Sequence, residues 1–397
     1  MKSKIALILI CLLLLCSCGV SGNNGEYEGT ASSGVWISFG EINNMLASKD
    51  GVEIEIEKTV EILKSLKIEN VYIHVRSYCD SLYDSKYFPL VSGAEKYDFD
   101  VFDRMVDIFH RNGIKVHAWI NPYRVLTSSS DINKLKKNSP AYKWLTDETK
   151  ENDINVLFYK GIYLNPSEDE VRRLILDGVK EIMDKYDVDG IHIDDYFYPT
   201  TIADFDKESY ENYKKQTENP LNLADWRRAN VNALVSGIYS AVKSKDKNIV
   251  FSVSPAASIS KNYNEFYADV EEWIKGGYID AIIPQLYFGF RYKDNDFKFE
   301  NILSEWKDIC KKNKNVELLI GLASYKIGTE TEADGKEWCE NDDIISRQAK
   351  ICYEDFAVQG YVIFSYSSLF SDGELYAKSR NNLLQFINET DEVKVGG

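Results

Sequence analysis

Two adjacent aspartates are the residues whose type and position best suit chemistry. Asp194 and Asp195 lie in the segment DGIHIDDYFYP (189–199), at the end of a run in which apolar and polar residues alternate. Hydrolysis of a glycosidic bond usually takes two carboxyl groups, one acting as acid and the other as nucleophile or base. The pair therefore indicates acid–base catalysis on a sugar, unless both side chains only cap the turn that follows.

The elements that must position this pair follow from the pattern of the chain. Eight short runs rich in β-branched or aromatic residues alternate with amphipathic helical stretches, which predicts an α/β fold, a single (β/α)8 TIM barrel. A doubly wound sheet is the alternative, disfavoured because no Gly-rich phosphate turn accompanies the eight units. A long segment (122–166) after the third strand is expected to cover the barrel mouth. The predicted strands are 35–39, 70–76, 115–121, 190–195, 249–255, 281–288, 317–324 and 360–366.

Strand alternation predicts which side chains face the barrel interior. Helix-facing positions should be apolar, so the other set faces inward, and barrel active sites lie at the C-terminal strand ends. This pattern places Asp194 at the mouth, beside Arg76. Arg76 either holds Asp194 in its ionised form, binds an acid group of the substrate, or only stabilises the barrel. Asp195 has the opposite parity and reaches the cleft only if the strand ends or twists there. The inward set near the mouth is Arg76, Trp119, Asn121, Asp194, Gln285 and Tyr287.

Three of the four histidines suggest a competing kind of site. His74, His117 and His192 are predicted to face inward from consecutive strands, and strand histidines can bind zinc in barrel hydrolases. No His-x-His pair or ligating lysine accompanies them. We therefore expect a buried hydrogen-bonding layer that orients Arg76 and Asp194, with no metal and no cofactor.

The N-terminus predicts export and a lipid anchor. Two early lysines precede an apolar run (5–15) that is too short to span a bilayer and ends in Leu-Cys-Ser-Cys. This order indicates a lipoprotein signal peptide (1–17) cut before a lipidated Cys18, or else an ordinary secretory signal cut nearby. A flexible tether (18–33), one folded domain (34–388) and a disordered tail (389–397) would follow. The expected location is the cell envelope, with the lipid in a membrane.

Composition narrows the set of partners. The formal net charge is −16, and no basic stripe appears, which argues against nucleic acid as a partner. The 26 tyrosines and 7 tryptophans suit a polysaccharide site, where flat aromatic faces stack on sugar rings, but they equally suit a large core. Four cysteines beyond the signal region fit no zinc motif, and one or two disulfides are possible among Cys79, Cys310, Cys339 and Cys352.

Several segments together resemble a known family. GVWIS, NVYIHVRSYCDSLYDSKYFPL, GIKVHAWINPYRV, YLNPSEDEV, DGIHIDDYFYP, LADWRRANVNALV and IIPQLYF closely resemble the glycosyl-hydrolase-like bacterial lipoproteins of the YddW/YngK type, in order from about residue 34 to 387. The resemblance implies an envelope glycoside hydrolase that acts on peptidoglycan glycan strands lacking stem peptides. The family pattern falls on Arg76, Asp80, Asn121, Tyr123, Arg124, Asn165, Asp194, Asp195, Tyr196, Arg227, Gln285 and Tyr287.

A more distant likeness, to chitinase-type barrels, concerns the proton donor. Their fourth strand reads DGxDxDxE, and here Tyr196 stands where the acidic glutamate would be. We expect Asp194 to be nucleophile or base and Asp195 the acid, with Asp80 in reserve. The residues expected to bind sugar are Arg76, Trp119, Asn121, Tyr123, Arg124, Asn165, Tyr196, Gln285 and Tyr287.

Two other functions remain open from the sequence. The missing chitinase-type acid is compatible with a barrel lipoprotein that binds glycan, or takes part in division, without hydrolysis. The inward histidines are compatible with a metal-dependent hydrolase such as a deacetylase.

Overall fold

The computed structural model describes residues 32–395, with side chains described as far as residue 390. Eight parallel strands close into a barrel in the order β1-β2-β3-β7-β8-β9-β10-β11, which confirms the predicted TIM barrel. Its strands are β1 (Ser32–Ile37), β2 (Asn70–Arg76), β3 (Lys115–Ile120), β7 (Gly190–Ile193), β8 (Val250–Val253), β9 (Ala281–Ile282), β10 (Glu317–Ala323) and β11 (Gly360–Phe364).

Helices surround the barrel and bury apolar stripes against it. In α5 (Asp169–Lys185) the buried residues Val171, Ile175, Val179 and Ile182 recur at helical spacing, so one face of the helix packs on the strands. The other helices are α1 (Phe39–Ala47), α2 (Val52–Ser65), α3 (Val101–Arg111), α4 (Pro140–Thr146), α6 (Lys207–Gln216), α7 (Leu223–Lys245), α8 (Ile259–Asn264), α9 (Val270–Gly276), α10 (Phe299–Cys310), α11 (Glu337–Glu340), α12 (Ile344–Glu354), α13 (Tyr366–Leu369) and α14 (Glu374–Val395).

The long segment after β3 forms a small sheet of its own. Its antiparallel strands β4 (Arg124–Leu126), β5 (Val156–Phe158) and β6 (Ile162–Leu164) are ordered β4-β6-β5. α4 lies between β4 and β5 in the chain. The insertion brings Arg124, at the start of β4, to the wall of the barrel-mouth pocket.

The barrel interior below the mouth combines an aromatic and apolar cluster with buried polar side chains. The inward side chains Trp36, Tyr72 and Trp119 form a separate inner cluster with residues of β9, β10 and β11. The apolar outward residues of β2 and β3, among them Ile73 and Ile120, belong instead to the layer between strands and helices. Strand alternation therefore separates the two layers as predicted along most of β2 and β3.

Arg76 is the exception, and its predicted place in the mouth is wrong. The pairing of β2 with β3 slips by one residue between His74 and Arg76, so that Arg76 aligns with the outward-facing Ile120. A bulge of this kind reverses the side of every later residue. The buried guanidinium of Arg76 instead lies 3.9 Å from the ring centroid of Phe88, against Gly178 of α5.

The predicted domain limits are also corrected. β1 begins at Ser32, two residues inside the predicted tether, and α14 continues to Val395 through most of the predicted disordered tail. The signal peptide, Cys18 and the rest of the tether lie outside the described residues. From residue 32 to 395 the structure contains no helix with the length and apolarity to span a bilayer. The four cysteines of this part, Cys79, Cys310, Cys339 and Cys352, are free thiols.

Candidate active site

A pocket of about 300 Å³ opens at the C-terminal ends of the barrel strands and contains both aspartates. Asp194 directly follows β7, and Ser38 and Ser254 directly follow β1 and β8. This is the end at which TIM-barrel enzymes carry their active sites. The pocket is lined by Trp36, Ser38, Phe39, His74, Trp119, Arg124, Asp194, Asp195, Tyr196, Ser254, Gln285, Tyr287, Tyr325 and Phe364.

Asp194 is buried, with only 3% of its surface exposed, and is held by three N–H donors. Trp119 Nε1 and Asn121 Nδ2 each donate to Asp194 Oδ2 over 3.1 Å. The backbone N–H of Tyr196 donates to Oδ1 over 3.4 Å. Asn121 does not itself line the pocket, so it positions Asp194 from behind. Donors on both oxygens favour the ionised form of this carboxyl.

Asp195 also reaches the pocket, because β7 ends at Ile193 and the strand alternation no longer applies beyond it. Gln285 Nε2 donates to Asp195 Oδ1 over 3.3 Å and to the backbone oxygen of Ser254 over 3.1 Å. Gln285 thus fixes Asp195 against the end of β8. Asp195 is only partly buried, so it is the more accessible of the two carboxyls.

The two carboxyls influence each other's protonation. Burial raises the pKa of Asp194 to about 7, and the charge of Asp195 acts in the same direction. Burial also raises the pKa of Asp195, while the hydrogen bond from Gln285 and the charges of Lys261 and Arg124 act against this shift. Two neighbouring carboxylates repel each other in a buried site, which disfavours the ionisation of both. We therefore expect the pair to hold one proton near neutral pH. One proton shared by two carboxyls is what acid–base catalysis requires.

The inward histidines form buried hydrogen bonds in the barrel interior, and His74 also lines the pocket. His74 Nε2 accepts a hydrogen bond from Asn121 over 2.7 Å, and His192 bonds Trp36 over 3.0 Å and Ser252 over 2.8 Å. Burial lowers the pKa of His74, His117 and His192 below the usual value, so all three are neutral. The layer supports Asn121 and Trp119, not Arg76 as predicted. No cluster of three potential ligands for a metal occurs within residues 32–395.

Arg124 supplies the positive charge of the pocket wall. Its guanidinium contacts two aromatic rings, 4.6 Å from the centroid of Tyr78 and 4.2 Å from that of Tyr196. Arg124 Nη2 also donates to the Tyr78 hydroxyl over 2.8 Å. Its charge lowers the pKa of both Asp194 and Asp195. Arg124 therefore occupies the place beside the aspartates that the sequence assigned to Arg76.

Besides Arg76 and Asn121, four further residues of the family pattern lie outside the pocket lining. Asp80 Oδ1 accepts the backbone N–H groups of Ser77 and Tyr78 over 3.2 and 3.0 Å, which shapes the loop that carries Tyr78. Tyr123 is 1% exposed and packs in the main core. Asn165 Nδ2 donates to Ile154 O and Ser209 Oγ, and Arg227 forms a buried ion pair with Asp206.

Three residues at the site were not predicted from the sequence. Phe39, the first residue of α1, and Phe364, the last of β11, line the pocket, and Tyr78 flanks Arg124. The signal for Tyr78 was available, because it precedes Asp80 in the loop after β2. Phe364 carried no signal, because β11 is apolar at nearly every position.

Fold and site together define a TIM barrel with a pair of interacting carboxyls in a pocket at its C-terminal face. Among solved structures, the glycoside hydrolase domain of PgaB (BpsB) from Bordetella bronchiseptica has a similar fold, with a TM-score of 0.60 at 13% identity over 87% of this chain and 97% of that one. The α-L-fucosidase isoenzyme 2 of Paenibacillus thiaminolyticus gives a TM-score of 0.52 at 13% identity over 86% of this chain and 46% of that one.

The sequence places the chain more narrowly. Residues 32–340 match the family described as Glycosyl hydrolase-like 10, and the chain belongs to that family. The glycosyl hydrolase YngK of Bacillus subtilis (strain 168) is 31% identical over 363 residues, covering 84% of this chain and 68% of that protein. The glycosyl hydrolase DigH of Escherichia coli (strain K12) is 28% identical over 329 residues, covering 76% of this chain and 73% of that protein. The resemblance found in the sequence motifs is confirmed.

Proposed function

We propose that this protein is a glycoside hydrolase that cleaves a cell-wall polysaccharide, namely peptidoglycan glycan free of stem peptides. The observation that carries the proposal is the pair Asp194 and Asp195, which lie in one pocket at the barrel mouth, where burial raises the pKa of both carboxyls. Family membership and the names of the curated relatives support glycosidic-bond hydrolysis. The choice of peptide-free glycan rests on the family resemblance of the motifs.

The hydrogen bonds support a division of roles between the two carboxyls. Asp194 has N–H donors on both oxygens, which favour its carboxylate form and act against the burial that raises its pKa. We therefore assign Asp194 the role of base or nucleophile, with the proton of the pair on Asp195 in the reactive state. Asp195 is more accessible and receives one side-chain hydrogen bond, from Gln285. We assign the proton donor to Asp195, which takes the part that a glutamate plays in chitinase-type barrels.

The remaining pocket surface suits a sugar ring. Trp36, Trp119, Tyr287 and Phe364 present aromatic side chains to a volume of about 300 Å³, and aromatic faces pack well on the apolar faces of pyranoses. Gln285 and Ser254 supply polar groups on the same wall. The pocket is therefore proposed to hold the sugar whose glycosidic bond is cut.

The proposal is tested by incubating the protein with purified peptide-free glycan strands and analysing the products by mass spectrometry. New reducing ends are expected from the wild type, and a fall of about 10²-fold or more in rate from Asp194→Asn and from Asp195→Asn. Asp187→Asn, which removes a fully exposed aspartate of the same region, is the matched control and should retain full activity. Glycan binding without new reducing ends would instead show a non-hydrolytic module. Loss of activity on chelation would indicate a metal-dependent hydrolase.

We further propose that the chain is anchored at the cell envelope through lipid on Cys18. The support is the order of charged, apolar and small residues before that cysteine. Metabolic labelling with a radioactive fatty acid should mark the wild type and not Cys18→Ser. Equal labelling of both would contradict the anchor without bearing on the hydrolase.

A further inference from the structure

We propose that Arg124 recognises a carboxylate on the substrate, namely the free lactyl carboxylate of a muramic acid residue in peptide-free glycan. This inference rests on the proposed function and specifies which group of the substrate the pocket recognises. It assigns Arg124 the role of a specificity residue that contacts the substrate and takes no part in the bond cleavage itself.

The first step of the argument is that Arg124 lacks an anionic partner. Its side chain lines the pocket, and the residue is only 9% exposed. Within the described part of the chain no carboxylate oxygen lies within 4.0 Å of its guanidinium, and its side-chain hydrogen bond is donated to the hydroxyl of Tyr78. Largely buried arginines are usually paired. By contrast the fully buried Arg227 is paired with Asp206.

The second step is that Arg124 is held in place in advance. The ring centroids of Tyr78 and Tyr196 lie 4.6 and 4.2 Å from the guanidinium carbon, and the Tyr78 hydroxyl accepts a hydrogen bond from Nη2. The Nε–H of Arg124 is buried and has no hydrogen-bond partner among the described residues, so it is left to meet a ligand. The N–H groups of a guanidinium match the oxygens of a carboxylate, and a guanidinium held in place loses little entropy on binding.

The third step is charge. Near neutral pH the aspartate pair keeps one negative charge in the pocket, and a substrate carboxylate beside it would be repelled. Arg124 is the cationic residue among those that line this pocket. A substrate carboxylate is therefore best accommodated where it contacts Arg124, whose positive charge offsets that of the aspartate pair.

The fourth step connects this chemistry with peptide-free glycan. In a glycan with stem peptides the lactyl carboxyl is bound as an amide and is neutral and bulky, whereas removal of the peptide leaves a free carboxylate. A charge-assisted, two-point hydrogen bond from Arg124 distinguishes the two forms. The same residue thus provides a physical reason for preferring the peptide-free polymer.

Arg124 could alternatively serve only to adjust the aspartates, since its charge lowers the pKa of both. The two roles differ in what they change. An electrostatic role alters the pH profile equally for every substrate, whereas recognition alters KM for carboxylate-bearing substrates alone. Lys261 offers the matched control, because its charge also lowers the pKa of Asp195 while its side chain lies outside this pocket.

The experiment compares four substrates: peptide-free glycan, the same glycan with its carboxyls converted to methylamides, chitin oligosaccharides, and hyaluronan oligosaccharides, which carry a uronic acid carboxylate. We expect the wild type to cleave the free-acid glycan with a kcat/KM about tenfold or more above that for the amidated glycan, through KM. Arg124→Gln should cleave both glycans equally, Arg124→Lys should keep part of the preference, and Lys261→Gln should keep it whole.

Several outcomes would overturn the proposal. These are equal cleavage of free-acid and amidated glycan by the wild type, a preference that persists in Arg124→Gln, or its equal loss in Lys261→Gln. Faster cleavage of hyaluronan than of peptide-free glycan would overturn the lactyl assignment. If the role of Arg124 is contradicted, cleavage of chitin oligosaccharides at similar rates by wild type and Arg124→Gln would still support the proposed hydrolase activity. Thermal unfolding of each variant confirms that folding is intact.

Discussion

The imidazole of His74 stacks on the indole of Trp119, with 3.7 Å between ring centroids and 9° between ring planes. Trp119 in turn donates its Nε1–H to Asp194, and His74 accepts a hydrogen bond from Asn121, the second donor to the same carboxyl oxygen. A neutral histidine therefore fixes both side chains that hold Asp194. The position of the buried carboxylate is set by residues of neighbouring strands, two of which, His74 and Trp119, also line the pocket.

Trp119→Phe tests this support. Phenylalanine keeps an aromatic ring against His74 but removes the N–H donor to Asp194. Loss of a hydrogen bond to the charged form should raise the pKa of Asp194 further and cost about 1–3 kcal/mol of stability, with a fall in kcat larger than the change in KM. The measurements are urea unfolding and the pH dependence of kcat. A changed KM with an unchanged pH profile would show that Trp119 contributes only to sugar binding.

The shared proton of the aspartates predicts a definite pH dependence. Because the pKa of Asp194 is raised to about 7, the pair holds its proton below that pH and loses it above, so kcat/KM should fall as pH rises through about 7. Asp195→Asn removes the negative charge that helps to raise this pKa, so Asp194 should titrate at lower pH in that variant. Carbon-13 NMR of labelled aspartate follows the titration without requiring activity. An unchanged titration would show that burial alone sets the shift.

The same shift has a consequence for stability. A carboxyl whose pKa is higher in the folded than in the unfolded protein stabilises the fold at low pH, and this contribution is lost as pH rises through the folded-state value. Asp194→Asn removes the cost of ionising a buried carboxyl. Its melting temperature relative to the wild type should therefore be higher at pH 8 than at pH 5. A difference that does not depend on pH would contradict the raised pKa.

The barrel could be predicted from the sequence because its strands and helices have periodic patterns of apolar residues. The aspartate pair could be predicted because its two members are adjacent in the chain. Alternation is clear in β3 and β7, where aliphatic residues occupy every second position, and it placed Trp119 and Asp194 correctly. Alternation failed at Arg76, because a bulge is a property of two paired strands and cannot be read from one of them. Arg124 was recognised by its motif alone, since only the tertiary position of the small sheet carries it to the mouth.

The packing around Arg76 makes Gly178 intolerant of a side chain. A Cβ at Gly178 would lie 2.3 Å from Arg76 Nη1 and 2.7 Å from a ring carbon of Phe88, and none of these groups can move freely within the core. Gly178→Ala should therefore lower the free energy of unfolding by about 1–3 kcal/mol. Gly237→Ala, in the middle of α7, is the matched control. Its Cβ would make ordinary contacts of 3.4 Å with Leu176, and it should be neutral or stabilise by up to about 1 kcal/mol. Chemical denaturation measures both, and equal values would contradict the packing described.

The ion pair of Arg227 and Asp206 is structural, although the family motif includes this arginine. Both side chains are fully buried, and Arg227 also donates to the Tyr267 hydroxyl and to the backbone oxygen of Ile202. Asp206→Asn leaves a buried positive charge without its counter-ion, which typically costs about 3–5 kcal/mol of stability. Asp107→Asn breaks the exposed pair with Arg111 and should cost less than about 1 kcal/mol. If Arg227 only supports the fold, Asp206→Asn should lower the melting temperature and leave KM and kcat of the folded fraction near the wild-type values. A large change in KM at temperatures where the variant is fully folded would instead place Arg227 in substrate binding.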